Sequence, residues 1–488
     1  YNRMNSTDSG WDISDRITYL LFDNQLINET IGTPILCEIL TIILAVVTII
    51  VGAHSSIIQP INAIDPTKSS QYFHSSDIDG KKSDEKIKEN QITWSMVIIL
   101  PIMASISLIS MYYYSKKLNN GSLEMFMNKY LIIMSFISSS FVINYLFNAI
   151  NRNLGLKFSI KGNNLMDDRF SITLSKDNEI HPIGLDVLNV TLPDKTEREK
   201  IIKEERLKEL RNDILIDDQI VNYYISYGQI ISIIIAIIFT IIYYKYNNNK
   251  NWILNNIFGL MVVSMGISNT SIPNFQICSI FLILFFLYDI YFVFFTEIMV
   301  KVATEIEIPA KFIIPNTVSK GESLIKMSIL GLGDVALPGS LIALCLRFDL
   351  FKFHQLNKDK EFHYLQPYDK RYFINSIIGY IIGLIITVRF VKYTGNGQPA
   401  LLYLVPCLLI SVYGTAIYLG DLKLLWGYNE IIEETKGAED DEEGDKFEYS
   451  EETKILISDI PPYDVKEDKL DKDYNYEVEY SSSEEEEI

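Results

Sequence analysis

Apolar residues along this chain of 488 do not alternate with polar ones at a strand period or recur at a helical one. They gather in long blocks divided by polar stretches. A block of about 17 to 25 apolar residues suffices to cross roughly 30 Å of hydrocarbon as a helix. The pattern predicts nine such spans: Ile35 to Val51, Trp94 to Tyr114, Tyr130 to Ile150, Val221 to Tyr244, Trp252 to Ser268, Phe275 to Val300, Ser323 to Leu346, Tyr372 to Phe390 and Pro399 to Leu419. The stretches up to Thr33, from Ser55 to Thr93, from Asn151 to Asp218 and beyond Asn429 are too polar for lipid and are read as aqueous. The expected fold is an all-α, multi-pass membrane protein.

Lysine and arginine near the helix ends orient the spans, because short positively charged loops stay on the cytosolic side. With the N-terminus lumenal, Lys81, Lys82, Lys86 and Lys88 fall in the cytosol, as do Arg347, Lys352, Lys358, Lys360, Lys370 and Arg371. Lys116, Lys117, Lys301, Lys311 and Lys320, on the other side, soften the contrast. The sequons at Asn5, Asn28 and Asn120 fall on the lumenal side. Four parts follow: a lumenal segment, 1–34; five helices, 35–270, with cytosolic loops at 55–93 and 151–218; a helical core, 271–420; and an acidic, disordered cytosolic tail, 421–488. The chain opens on Tyr1, so a start upstream of it, a cleaved signal peptide included, stays open.

Composition agrees with the pattern, since 48% of the residues are hydrophobic and the blocks account for most of them. The net charge of −19 comes largely from the tail and the aqueous loops. No basic groove is visible, which argues against a nucleic-acid partner. Cys37, Cys278, Cys345 and Cys407 sit in apolar runs without paired spacing and read as small buried hydrophobes. Histidine is too scarce and scattered for a zinc site. The run DKTEREKIIKEERLKELRNDI in the 151–218 insert reads as an exposed amphipathic helix.

Carboxylates deep in the apolar blocks carry the candidate chemistry, since an ionisable group at membrane depth is costly and marks a functional site by default. Asp289 lies mid-span in the sixth block and Asp334 in the seventh, while Glu38 and Glu297 lie nearer the ends of theirs. The two spans run antiparallel through the short Lys301 to Glu322 loop. Each aspartate lies about 11 residues from that loop, or roughly 16 Å at 1.5 Å per residue, so the two can face each other. Two carboxyls in a low-dielectric site share a proton and titrate as a pair, which is the electrostatic arrangement of an aspartic protease dyad. Gly331 and Gly333 remove side chains beside Asp334, and Pro399 disfavours helix at Gln398.

The YD pair Tyr288-Asp289, the GLGD segment Gly331-Leu332-Gly333-Asp334 and QPAL at Gln398-Pro399-Ala400-Leu401 together resemble the signal peptide peptidase family of GxGD intramembrane aspartyl proteases. The likeness is strongest from about Phe285 to Pro406. It implies nine spans, a lumenal N-terminus, Asp289 and Asp334 as catalytic pair, and Tyr288, Gly331, Leu332, Gly333, Gln398, Pro399, Ala400 and Leu401 around the substrate. It also implies type II transmembrane segments and remnant signal peptides as substrates, the lipid bilayer as surroundings, and no metal or organic cofactor. A homo-oligomer or the degradation machinery of the endoplasmic reticulum are the partners it suggests. Residence in that membrane rests on the resemblance alone, because the chain ends in EEEEI and not in a dilysine signal; the Golgi and the vacuole or lysosome stay open.

Two alternatives accompany this reading. A presenilin-type protease would need the opposite orientation and a long loop between the catalytic spans, for which Lys301 to Glu322 is too short. A proton- or cation-coupled transporter or channel would use the same aspartates at mid-membrane. No internal repeat relating the two halves of the chain supports it.

Overall fold

A computed structural model of the chain describes residues 33–60, 62–64, 92–117, 120–158, 169–174, 221–247, 251–296, 311–318, 325–358, 360–364, 366–395 and 398–430. All of them fall in the first of two units, Tyr1–Ile431; the second, Ile432–Ile488, lies outside the described residues. In chain order the elements are α1 (Thr33–Ser55), α2 (Trp94–Lys117), α3 (Asn120–Phe158), β1 (Arg169–Leu174), β2 (Val221–Ser226), α4 (Tyr227–Asn247), α5 (Trp252–Asn269), α6 (Phe275–Phe294), β3 (Lys311–Val318), β4 (Ile325–Gly331), α7 (Gly333–Leu356), α8 (Arg371–Thr394), α9 (Leu401–Leu419) and the short α10 (Leu422–Trp426). Among the described residues, eight helices, α1 to α6 with α8 and α9, are long and apolar enough to cross a membrane. In place of the seventh span stands α7, which carries Asp334, Arg347, Asp349 and Lys352.

Three predicted spans change character. Ser323 to Leu346 is not one helix: Ile325–Gly331 is a strand, and α7 begins only at Gly333 and runs on to Leu356. Val221 to Tyr244 likewise opens with the strand β2, paired antiparallel with β1 inside the insert that was expected to be an aqueous loop. The helix expected from Phe275 to Val300 ends at Phe294. The first two share a cause, because hydropathy counts apolar residues without registering their period: VNYYIS is rich in β-branched and aromatic residues that suit a pleated backbone, and IKMSILG alternates its isoleucines and methionine with polar residues over part of its length. The amphipathic helix expected at 194–214, the sequons at Asn5 and Asn28, and the acidic tail from 431 on lie outside the described residues, whereas 421–430, expected as the start of that disordered tail, holds the short helix α10 and the partner of Arg347, Glu430.

Among the described elements, helix α7 has neighbours on most sides. It packs against α1, α5, α6, α8 and α9, and its residues from Pro338 to Leu350 are all buried. Helices α1 and α5 are joined by side-chain bonds from Ser264 to the Thr48 carbonyl, 3.2 Å, and from Ser268 to the Ser55 carbonyl, 2.9 Å. Helices α8 and α9 meet through Gly379 and Gly383, spaced like a GxxxG contact. A Cβ at Gly379 would stand 2.6 Å from Ser411 Cβ, and one at Gly383 would stand 3.1 Å from the Leu404 backbone. On α2 the apolar residues Ile98, Ile99, Ile102, Met103 and Ile106 are exposed, as a lipid-facing helix requires. Cys37, Cys278 and Cys345 are buried free thiols as expected, whereas Cys407 is only half-buried.

Candidate active site at the α6–α7 junction

The chain between α6 and α7 sets the geometry. β3 and β4 pair antiparallel, with Lys311 opposite Gly331 and Ile313 opposite Ile329. Gly331 closes β4, Leu332 turns the chain, and Gly333 starts α7, so Asp334 lies in the first turn of that helix instead of midway along it. Asp289 sits near the C-terminal end of α6, which stops at Phe294. The expectation that both aspartates lie about 11 residues deep in two helices is therefore corrected, although the two carboxyls still lie close enough to act on each other.

Asp289 is 5% exposed and its Oδ2 accepts a hydrogen bond from the Leu401 N–H at 3.1 Å. Leu401 is the first residue of α9, and its N–H is one of the amide groups that a helix N-terminus leaves without an internal partner. Asp334 is half-buried, its carboxyl touches the Gly331 backbone, and Asp289 is the charged group that acts on it. Each carboxyl thus stands at a helix N-terminus, Asp334 on α7 and Asp289 against α9, where the macrodipole carries partial positive charge. Two carboxylates together would repel, but one negative charge shared between them is favoured by both dipoles. Carboxyls placed together in this way favour sharing one proton over carrying two charges.

The other residues expected around the site divide. A Cβ at Gly331 would stand 3.0 Å from Asp334 Oδ2 and so press on that carboxyl, whereas nothing lies within 4 Å of a Cβ at Gly333. Leu332 packs toward α5: a Cβ at Gly259 would stand 3.1 Å from Leu332 Cδ2 and 2.9 Å from a ring carbon of Phe312. Pro399 is buried just before α9, and Ala400 is the cap residue whose carbonyl accepts from the Tyr403 and Leu404 N–H groups, both at 3.1 Å. Gln398 turns back to donate to Thr394 Oγ1 at 3.3 Å on an exposed side. Tyr288 packs within α6 edge-on to Phe285 at 5.9 Å and tilted against Phe292 at 4.7 Å.

Three polar residues around this junction escaped the sequence reading. Tyr380 of α8, fully buried, donates its hydroxyl to the Asp334 carbonyl at 3.3 Å. Asn256 of α5 donates to the Ile313 carbonyl at 2.8 Å and accepts from the Ile313 N–H at 2.9 Å, and Asn255 donates to the Lys311 carbonyl at 2.9 Å. Two adjacent asparagines in an apolar block were a signal available in the sequence. Their partners, on a strand more than fifty residues away, were not.

Comparison with known proteins bears on the same region. A signal peptide peptidase family model matches residues 82–431, a range that contains both aspartates and every element from α2 to α10. A probable intramembrane protease of Saccharomyces cerevisiae is 29% identical over 424 residues, covering 79% of this chain and 72% of that protein. Signal peptide peptidase of Mus musculus is 35% identical over 202 residues, 41% of this chain and 50% of its own length. Intramembrane protease 2 of Caenorhabditis elegans is 36% identical over 183 residues, 37% of this chain and 39% of its own length. The match covers well over half of the chain, and the chain belongs to the signal peptide peptidase family of intramembrane proteases.

Proposed function

We propose that the protein is an aspartyl intramembrane endopeptidase that hydrolyses peptide bonds within transmembrane segments of type II membrane proteins and remnant signal peptides. The observation that carries this is the meeting of Asp289 and Asp334 at two helix N-termini, beside a strand hairpin. One carboxylate takes a proton from water as it attacks, while the protonated partner donates to the carbonyl oxygen of the scissile bond. The roles then reverse to protonate the leaving amine, and no covalent intermediate forms. The N-termini of α7 and α9 stabilise the charge on the pair throughout.

A transmembrane helix shields its own amides, so the substrate must unwind, and an unwound segment in lipid needs partners for its backbone. The hairpin supplies them on one side. Both backbone polar groups of Ile313 face Asn256, so Ile313 and Ile329 form the non-hydrogen-bonded type of antiparallel pair, which turns the N–H and C=O of Ile329 away from β3. That outer edge of β4 leads directly to Asp334 and suits strand addition by an extended substrate. An endoplasmic reticulum membrane setting with a lumenal N-terminus belongs to the same reading and rests on the charge of the loops and on the family.

The test is purified protein in liposomes with a labelled type II signal-peptide substrate, alone and with an aspartyl transition-state inhibitor. Cleavage inside the apolar segment that the inhibitor stops is expected; failure to cut any of a panel of such substrates would overturn the proposal.

A further inference from the structure

The start of α5 does work that neither the aspartates nor the family's motifs explain. Asn255 and Asn256 are 7% and 5% exposed, in a helix that is otherwise apolar apart from a few serines and asparagines. A polar side chain in a membrane helix usually bonds a neighbouring helix. These two bond a strand instead. The Asn256 amide has one acceptor and one donor group, the complement of a peptide unit, and it closes both polar groups of Ile313, while Asn255 closes the carbonyl of Lys311. These backbone groups lie on the outer edge of β3, where the hairpin itself gives them no partner and lipid gives none either.

The same face of α5 reaches the turn before Asp334. Gly259 lies one helical turn beyond Asn255 and Asn256, and its missing side chain admits Phe312 of β3 and Leu332 of the turn. The helix that makes these contacts is itself fixed, because Asn251 caps it by accepting from the Ile253 and Leu254 N–H groups, and two serine bonds tie it to α1.

We propose that Asn255 and Asn256 are positioning residues of the protease, a clasp that fixes the β3 edge, sets the placement of Leu332 and Asp334, and leaves the β4 edge as the one open to substrate. The proposal rests on the reading of Asp289 and Asp334 as the catalytic pair. The clasp acts through its bonds to the hairpin backbone. A displacement of about 1 Å at Asp334 is enough to lower turnover strongly.

The experiment compares wild type with Asn256→Leu, Asn256→Asp and Asp334→Asn in nanodiscs, by cleavage kinetics of a labelled signal-peptide substrate and by amide hydrogen exchange of the segments 311–318 and 325–331. Asn256→Leu, of similar size but unable to bond Ile313, is expected to lower kcat by up to about 100-fold, with a smaller change in KM, and to speed exchange in the hairpin while α8 and α9 keep their protection. Asn256→Asp, which as a neutral acid keeps a donor and an acceptor, is expected to recover part of kcat at acidic pH. Wild-type kcat in Asn256→Leu, or lost kcat with hairpin exchange unchanged, would overturn the clasp. If Asn256→Leu does not insert, Asn255→Leu, which loses a single bond, carries the same test with a smaller expected loss. Cleavage retained in Asp334→Asn would instead overturn the catalytic reading, while the exchange data would still judge the clasp.

Discussion

At the N-terminal end of α7, Asp334 faces a second carboxyl, and no lysine or arginine among the described residues pairs with it. At the other end of the same helix, every charge has a partner of opposite sign or a row of donors. Arg347 donates to Glu430 Oε1 at 2.5 Å and to Ser56 Oγ at 3.0 Å. Asp349 accepts from the Tyr372 and Phe373 N–H groups at 3.2 and 2.9 Å and so caps α8, and Lys352 pairs with Asp421. Both ends are largely withdrawn from water, yet only one is neutralised. Burying an unpaired carboxyl costs stability that a fold does not retain without use, whereas a paired one serves to lock helices together. The difference sorts the charges of α7 into those that work and those that hold.

The sharpest way to break that comparison is to neutralise the unpaired end. Asp289→Asn and Asp334→Asn each remove one protonation role at nearly constant volume. Each is expected to lower cleavage by about 10⁴-fold or to below detection, while thermal unfolding in detergent stays at or above that of wild type, because a buried charge is lost. The check is timed cleavage beside a melting curve on the same sample, and a variant that cuts at the wild-type rate sinks the dyad.

The opposite result is expected at the paired end. Arg347→Met leaves Glu430 buried without its cation and is expected to cost about 3–5 kcal/mol, with cleavage falling only as far as folded protein is lost. Glu430 itself is informative, because burial pushes its carboxyl above the usual range by more than Arg347 beside it draws it down. Glu430 in turn holds the Arg347 guanidinium charged against its own burial; replacing both partners removes the stranded charge along with the pair, so the double variant Arg347→Met with Glu430→Leu is expected to regain most of the loss. A double variant as unstable as the single one would show that the pair is worth more than its desolvation.

How much of this was legible in the chain follows from which signals are local. Asp289, Asp334 and the helix start at Pro399 stand out because a charge or a proline in an apolar block needs no knowledge of partners. The strands β2 and β4 did not stand out, since apolar content alone reads IKMSILG as the start of a span. The partners of Tyr380 and Asn256 were hidden for another reason: they are the Asp334 and Ile313 backbones, which the fold brings to them from far along the chain. The pairing at the far end of α7 was hidden in the same way, with Glu430 lying in a stretch read as the beginning of an acidic tail.

A change between the two ends in kind is Gly259→Val, which touches no charge. Its Cβ would press on Phe312, which is fully buried, and on Leu332 two residues before Asp334. Overpacking of this sort costs about 1–3 kcal/mol. The expected outcome is a modest fall in melting temperature with a disproportionate loss of kcat, measured on the folded fraction. A kcat that merely tracks the folded amount would mean that the hairpin tolerates displacement.

The smallest effect is expected where a paired charge of α7 still meets water. Lys352 and Asp421 have side chains 29% and 18% exposed, and Tyr372 donates its hydroxyl to the same Asp421 oxygen at 3.3 Å. Removing the ammonium leaves Asp421 with that donor and with solvent, so its charge is not stranded as Glu430's would be. Lys352→Ala is therefore expected to cost less than about 1 kcal/mol and to leave cleavage unchanged, with the small loss shrinking further at high salt because a partly wet pair is screened. Melting curves at low and high salt decide it. A loss as large as that of Arg347→Met would mean that position along α7, and not access to water, governs what its charges are worth.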